Sequence, residues 1–517
     1  MLRYHGRMMH PKAVGLLAVL VIAATAWRIQ QARESLWLDE LHSAWCAGGD
    51  LREVAPRAAI GNQSPLYFWL LWGQTQLYSQ SELVLRGPSL TAGVLTLVAV
   101  YWLVARTLRS PWLGLLAAWL YALIPLADFY ATEARPYALV TLIAVLHVAI
   151  FAALCRQPTW QKRALFVLGA ALLFHLHYTA ALLLPAELAF WLVAAGCRLM
   201  PIRYSSRQMT WDLVFIGLAW MPAAGLIGVI LGRRQNWEAF VPQRPLWEIF
   251  ELLPWSAAAL VVLGLLPFDR YLAGQRRQPG VVTRNQLRLR RAAALGLCWL
   301  LVPLLAAWAA TWTDTARLLL PRYLVASMPA AVLLAVTCVR FAPWQWSQVA
   351  AGSLLAGAAL WMSLVSQPAR RGEDWRGAIE WLNEQLAERE FPVLVMSDLI
   401  EDQGLRASPD ERLKHYCLFP VTSLYRVNLP QSELVPLPSR GHGILTSEQC
   451  EMVRSRGGAW LIVRTKELET ANTIGREVGK ELSSDAPDDR VWRLAANHRG
   501  EGVHSVLLLP RLPTPDP

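Results

Sequence analysis

Charge is scarce in this chain: only 17% of its 517 residues are Asp, Glu, Lys or Arg, while 55% are hydrophobic. Soluble domains average about 25% charged residues, so the composition argues against a water-soluble globule. No G-x-G-x-x-G follows a strand and no phosphate-binding P-loop occurs, which leaves a nucleotide-sugar or nucleoside triphosphate site unsupported. The seven cysteines (46, 155, 197, 298, 338, 417 and 450) show no C-x-x-C spacing, so neither a zinc knuckle nor a thioredoxin-like motif is supported. Most of them sit inside apolar runs. Cys417 and Cys450 fall in a polar region and could pair in an oxidising compartment. No H-E-x-x-H or compact ligand cluster predicts a metal, although Asp39, Glu40 and His42 could in principle ligate a divalent ion. There is no internal repeat, and low complexity is confined to a Pro-rich tail at 510–517.

What the chain has instead is long apolar runs. Stretches of roughly 17 to 25 residues predict about eleven membrane-spanning helices. They lie near 11–27, 83–108, 111–128, 136–155, 163–178, 179–197, 211–232, 248–267, 292–312, 322–340 and 344–365. Arg3, Arg7 and Lys12 precede the first run, and no small-x-small cleavage site follows it, so a retained signal anchor is predicted rather than a cleaved peptide. The fifth and sixth runs meet at His175-Leu176-His177-Tyr178; counting them as one span would reverse everything downstream.

A net charge of +11 would suggest nucleic acid in a soluble protein, but here the basic residues gather in short loops and report topology. With the N-terminus cytoplasmic, the inside loops carry Arg106 and Arg109, then Arg156, Lys162 and Arg163, then Arg198, Arg203 and Arg207. The next carries Arg270, Arg276, Arg277, Arg284, Arg288, Arg290 and Arg291, and Arg340 follows the tenth run. That places the region after Ser366 outside the cytoplasm. The expected organisation is a multi-span domain over 1–366, with a large outward loop at 28–82, and a soluble extracytoplasmic domain over 367–517. In the loop, Leu66 to Leu77 is apolar, aromatic and too short to span, which suits an interfacial helix. In the C-terminal part, Asp374 to Leu386 has helical spacing, and Phe391–Met396, Trp460–Val463 and Ser505–Leu509 read as buried strands of a small α/β domain.

The outward segments are the chemically dense ones. Asp39 and Glu40 stand in Trp37-Leu38-Asp39-Glu40 just beyond the first span, where acidic groups cost free energy near hydrocarbon. Then follow Asn62-Gln63-Ser64-Pro65-Leu66-Tyr67, Leu85-Arg86-Gly87-Pro88-Ser89 and Ala131-Thr132-Glu133-Ala134-Arg135-Pro136-Tyr137. His177-Tyr178-Thr179, Pro321-Arg322-Tyr323 and Glu373-Asp374-Trp375-Arg376 complete the series. In this order the motifs resemble those of the GT-C glycosyltransferases, in particular the bacterial branch related to protein O-mannosyltransferases and to the transferase that adds aminoarabinose to lipid A. The segment Gln63-Ser64-Pro65 departs from the His-Pro-Pro common in relatives, so no role is carried over to it.

The resemblance implies a GT-C fold and transfer of a sugar from a polyprenyl-phosphate donor to a protein, lipid or glycan acceptor at the outer face of the cytoplasmic membrane, without nucleic acid. It also implies that Asp39 takes or orients the proton of the acceptor hydroxyl. The competing reading of Asp39 is a helix N-cap. Glu40 either shapes the acceptor site or is a solvated loop charge. Arg86, Arg135 and Arg322 stand at outward helix ends, where they would bind the donor's phosphate or snorkel to lipid headgroups. Glu133 either positions Arg135 or binds the sugar, and His177 and Tyr178 are candidate contacts to donor or acceptor, Tyr178 alternatively a belt aromatic. A transporter or lipid flippase is the rival class, but transporters place their charges near mid-helix, whereas these cluster at one face.

Overall fold

The computed structural model describes residues 10–232, 241–252, 284–342, 344–365, 371–407, 410–439, 444–484 and 491–511. The chain packs as two compact units: Met1–Ala32, Asn62–Leu70 and Arg86–Ala369 make the first, and Arg33–Gly61, Leu71–Leu85 and Arg370–Pro517 the second.

Among the described residues, eight helices are long and apolar enough to cross a membrane: Pro11–Gln31, Glu82–Leu108, Tyr137–Leu154, Tyr178–Gly196, Ser206–Gly232, Arg284–Trp312, Pro321–Phe341 and Gln345–Val365. Each coincides with an expected span. The fifth expected span is the 17-residue helix Trp160–Leu176, which ends where His177 turns extended (φ −158°, ψ 117°) before a 3-10 turn begins at Tyr178. The third differs from expectation. Instead of one straight helix over 111–128, the chain forms Pro111–Ala122 and Pro125–Ala131, bent by 73°. Pro125 is the cause, because it donates no N–H and its ring pushes Ile124 into an extended conformation (φ −75°, ψ 114°). Of the eighth expected span, Leu246–Leu252 forms a 3-10 turn. Its remainder, with Arg270, Arg276 and Arg277, lies outside the described residues, as do Arg3, Arg7, Ser366 and most of the Pro-rich tail.

Polar pairs tie the apolar helices together where an isolated charge would cost several kcal/mol. Arg163 forks onto Asp212, with Nε 3.0 Å from each carboxylate oxygen and Nη2 at 2.7 Å, and the Tyr204 hydroxyl donates to the same group at 2.7 Å. Deeper, buried His147 pairs with buried Glu187 at 3.2 Å and stacks on Phe166.

The second unit is built on a five-stranded mixed sheet of β1 (Val393–Met396), β2 (Leu434–Pro436), β3 (Ala459–Arg464), β4 (Val491–Arg499) and β5 (Val503–Arg511). The order is β2-β1-β3-β5-β4. β1 runs parallel to both neighbours, and β5 runs antiparallel to β3 and β4. The core is apolar: Leu394, Leu461, Val463, Val506 and Leu508 from the strands meet Val478 and Leu482 of the helix Leu468–Ser484. The expected helix is present as Trp375–Leu386, capped by the Asp374 carboxylate accepting from the Gly377 N–H at 3.0 Å. Cys417 and Cys450 are buried thiols with no bridge between them.

One turn of this unit admits only glycine. Gly502, between β4 and β5, has φ +67°, and a Cβ there would lie 1.8 Å from the carbonyl oxygen of Gly372. The same turn holds the Glu373 segment, since the Asp374 N–H donates to the Glu501 carbonyl at 2.7 Å. Gly502→Ala is therefore expected to cost roughly 2 kcal/mol or more, because left-handed strain adds to the displacement of a backbone segment. A thermal unfolding midpoint equal to wild type would contradict this.

Candidate active site

In the second unit, Leu38–Ala47 is a helix whose N-cap is Trp37, so Asp39 and Glu40 occupy its first turn. Two residues from the far end of the chain fix this turn. The Leu38 N–H donates to Oε2 of Glu373 at 3.0 Å, and the Arg371 Nε makes an ion pair with Oε2 of Glu40 at 3.1 Å. Glu40 is fully buried, whereas Asp39 beside it is partly exposed. Burial pushes the Glu373 carboxyl up; Arg464, the Trp375 indole and the Leu38 N–H all donate to its charged form and pull it back. Arg464 reaches Glu373 at 2.7 Å and Asp398 at 3.3 Å, and Arg371 also pairs with Glu34 at 3.1 Å. The turn that carries the acidic pair is thus set in a network of ion pairs, with the Arg371–Glu40 pair buried at its centre.

The rest of the helix is anchored by aromatic packing. Trp45 is buried, stacks on Tyr416 at 4.4 Å and donates to His415 Nδ1 at 2.9 Å, while Arg57 lies over its ring. His42 is buried against Cys46 and the Arg57 carbonyl. Among the described residues no group of three or more His, Cys, Asp or Glu side chains is placed to hold a metal ion. Glu82, at the start of the second spanning helix, accepts from Tyr425 at 3.0 Å and pairs with Arg376 of the Glu-Asp-Trp-Arg motif.

The first unit gathers the other motif segments. The Tyr67 and Ser89 hydroxyls lie 3.2 Å apart, and Ser89 donates to the Arg135 carbonyl at 2.9 Å, which joins three motifs through one small buried side chain. Glu133 and Arg135 are both buried, and the Arg135 N–H donates to the Glu133 carbonyl at 2.7 Å, making a tight turn. The Tyr137 ring meets His177 at 5.4 Å, His177 meets Tyr323 at 5.3 Å, and the Arg322 guanidinium covers Tyr323. His177 Nδ1 also contacts the Thr179 hydroxyl at 2.7 Å. Burial, and then the fields of Arg135 and Arg322, push the His177 imidazole down to about 3, so it is neutral and two guanidinium groups act on one point. Tyr178 follows directly and opens the 3-10 turn that leads into the next helix. Arg86 is fully buried and donates to the Ala32 carbonyl at 2.8 Å, which satisfies the C-terminal end of the first helix.

Arg135, Arg322, Glu133, His177 and Tyr178 therefore belong to one unit with Arg86, and Asp39 and Glu40 to the other. Sequence reasoning missed Arg371 and Arg464. Arg371 stands two residues before the Glu373-Asp374-Trp375-Arg376 motif, but its pairing with Glu40 bridges distant parts of the chain.

The sequence model of the dolichyl-phosphate-mannose-protein mannosyltransferase family matches residues 62–221. No curated protein sequence matches significantly. Among solved structures, ArnT from Cupriavidus metallidurans in the apo state superposes with a TM-score of 0.54 at 14% identity, covering 96% of this chain and 98% of that one. Its complex with undecaprenyl phosphate gives 0.50 at 13% identity, covering 96% and 97%. The chain therefore has an ArnT-like GT-C fold across nearly its whole length, and its residues 62–221 carry the sequence pattern of the dolichyl-phosphate-mannose-protein mannosyltransferase family.

Proposed function

We propose that the protein transfers a sugar from a polyprenyl-phosphate donor to an acceptor at the outer face of the cytoplasmic membrane, with its C-terminal α/β domain outside the cytoplasm. One observation carries this reading: within a single helical turn, Glu40 is buried and ion-paired with Arg371 while Asp39 keeps part of its surface. Glu40 and Arg371 then set the geometry, and Asp39 does the chemistry. As the acceptor hydroxyl attacks the anomeric carbon, its proton passes to Asp39, a new C–O bond forms, and the bond to the lipid phosphate breaks. The phosphate leaves with the electron pair, and its charge is met by Arg135 and Arg322, whose fields both act on His177. Donation from a neutral imidazole and from the Tyr178 hydroxyl suits a hydroxylated sugar. The undecaprenyl phosphate in the ArnT complex supports a donor of this class. The basic inside loops support the orientation.

The test is release of polyprenyl phosphate by the purified protein in bilayers supplied with a labelled polyprenyl-phosphate sugar and envelope extract. Arg135→Ala and Arg322→Ala should each weaken donor use roughly tenfold or more, as expected for losing a charge-assisted bond to phosphate. Lys at either site should restore part of it, because the ammonium keeps the charge but not the planar fork. Absence of sugar transfer, or unchanged donor affinity in both Ala variants, overturns the reading.

A further inference from the structure

The carboxyl ends of parallel strands β1 and β3 open into a cleft of about 1180 Å³ that lies wholly within the second unit. Ligands of open α/β sheets bind at such strand ends. Asp398 follows β1, Thr465 and Lys466 follow β3, the Arg499–Gly502 turn joins β4 to β5, and Trp37 completes the wall. Trp37 is the N-cap of the helix that carries Asp39.

The chemistry of the lining is selective. Trp37 is its one large apolar side chain, so an acyl chain or an apolar peptide finds little to bury against. Six of the charges here are committed to one another, with Arg464 on Glu373 and Asp398, and Arg371 on Glu34 and Glu40. At the rim, Lys466, Glu467, Arg499 and Glu501 are exposed, and neither Lys466 nor Arg499 has a carboxylate partner among the described residues. Donors and acceptors of both charges thus line an opening whose wall includes one indole. A polyhydroxylated ring matches that pattern, because each hydroxyl both donates and accepts and its C–H face packs on an aromatic plane.

We infer that this cleft binds a saccharide portion of the acceptor, which makes the acceptor a glycan or glycolipid headgroup rather than a polypeptide. The inference rests on the transferase reading above, and its test does not use transfer. The intact purified protein is applied to a printed panel of neutral, amino-bearing and acidic oligosaccharides beside Ser/Thr-rich peptides. Saccharide spots should retain it, and a variant with Lys466→Ala, Glu467→Ala and Arg499→Ala should lose roughly tenfold in apparent affinity at an unchanged unfolding temperature. Retention on peptides alone, no retention on any saccharide, or equal retention by the rim variant overturns the inference. Saccharide binding that depends on the rim, in a protein that releases no polyprenyl phosphate from its donor, would instead count against the transferase reading.

Discussion

Asp39→Asn is expected to lower sugar transfer by roughly 10²-fold or more while leaving folding and donor binding near wild type. Asn preserves size and hydrogen bonding but accepts no proton at neutral pH. The rival role for this residue, capping the helix, does not match its position: Trp37 stands at the N-cap, and the Leu38 N–H is already bonded to Glu373. In its first turn the helix loses a negative charge, about 0.3–1 kcal/mol. The decisive comparison sets the initial transfer rate beside the unfolding midpoint and donor affinity of the same preparation. A rate close to wild type would remove Asp39 from the reaction.

Arg371→Met should have the largest effect on stability. Its guanidinium is almost wholly buried and faces the fully buried Glu40 carboxylate at 3.1 Å. Removing one partner of such a pair strips the buried Glu40 carboxylate of its ion pair and costs about 3–5 kcal/mol. Replacing Glu40 by Gln in the same chain removes that charge, so the double variant should recover a good part of the loss. Thermal unfolding of the three proteins measures the coupling directly. If the double variant is no more stable than Arg371→Met alone, the pair does not hold the turn.

Much of this molecule could be read from residue order. The spans were legible because hydrocarbon demands continuous apolar runs, and the Leu66–Leu77 helix because a run too short to cross must lie elsewhere. The break at Pro125 was missed since hydropathy ignores backbone donors. Strands β1, β3 and β5 are dominated by buried apolar residues and were found. β2 has three residues, and β4 alternates poorly, most of its residues being exposed or half-exposed, so neither leaves a period-2 signal. At the site, adjacency made Asp39 and Glu40 visible, but nothing in Trp37-Leu38-Asp39-Glu40 distinguishes the two acids. Their difference comes from Arg371, and such a pairing is set by the fold. Likewise Arg86 reads as an outward-face cation in sequence, whereas its bond to the Ala32 carbonyl becomes apparent only in three dimensions.

The bond between Leu38 and Glu373 joins residues 335 positions apart. A ribosome adding about 5–20 residues per second takes roughly 20–70 s to cover that distance. Throughout that interval the nascent chain already contains Asp39 and has begun inserting its helices, yet it lacks the groups that neutralise Glu40 and close the end of the acidic helix. The acidic turn is thus completed only after the last spanning helix has been made, and a chain truncated before Arg371 can never assemble it.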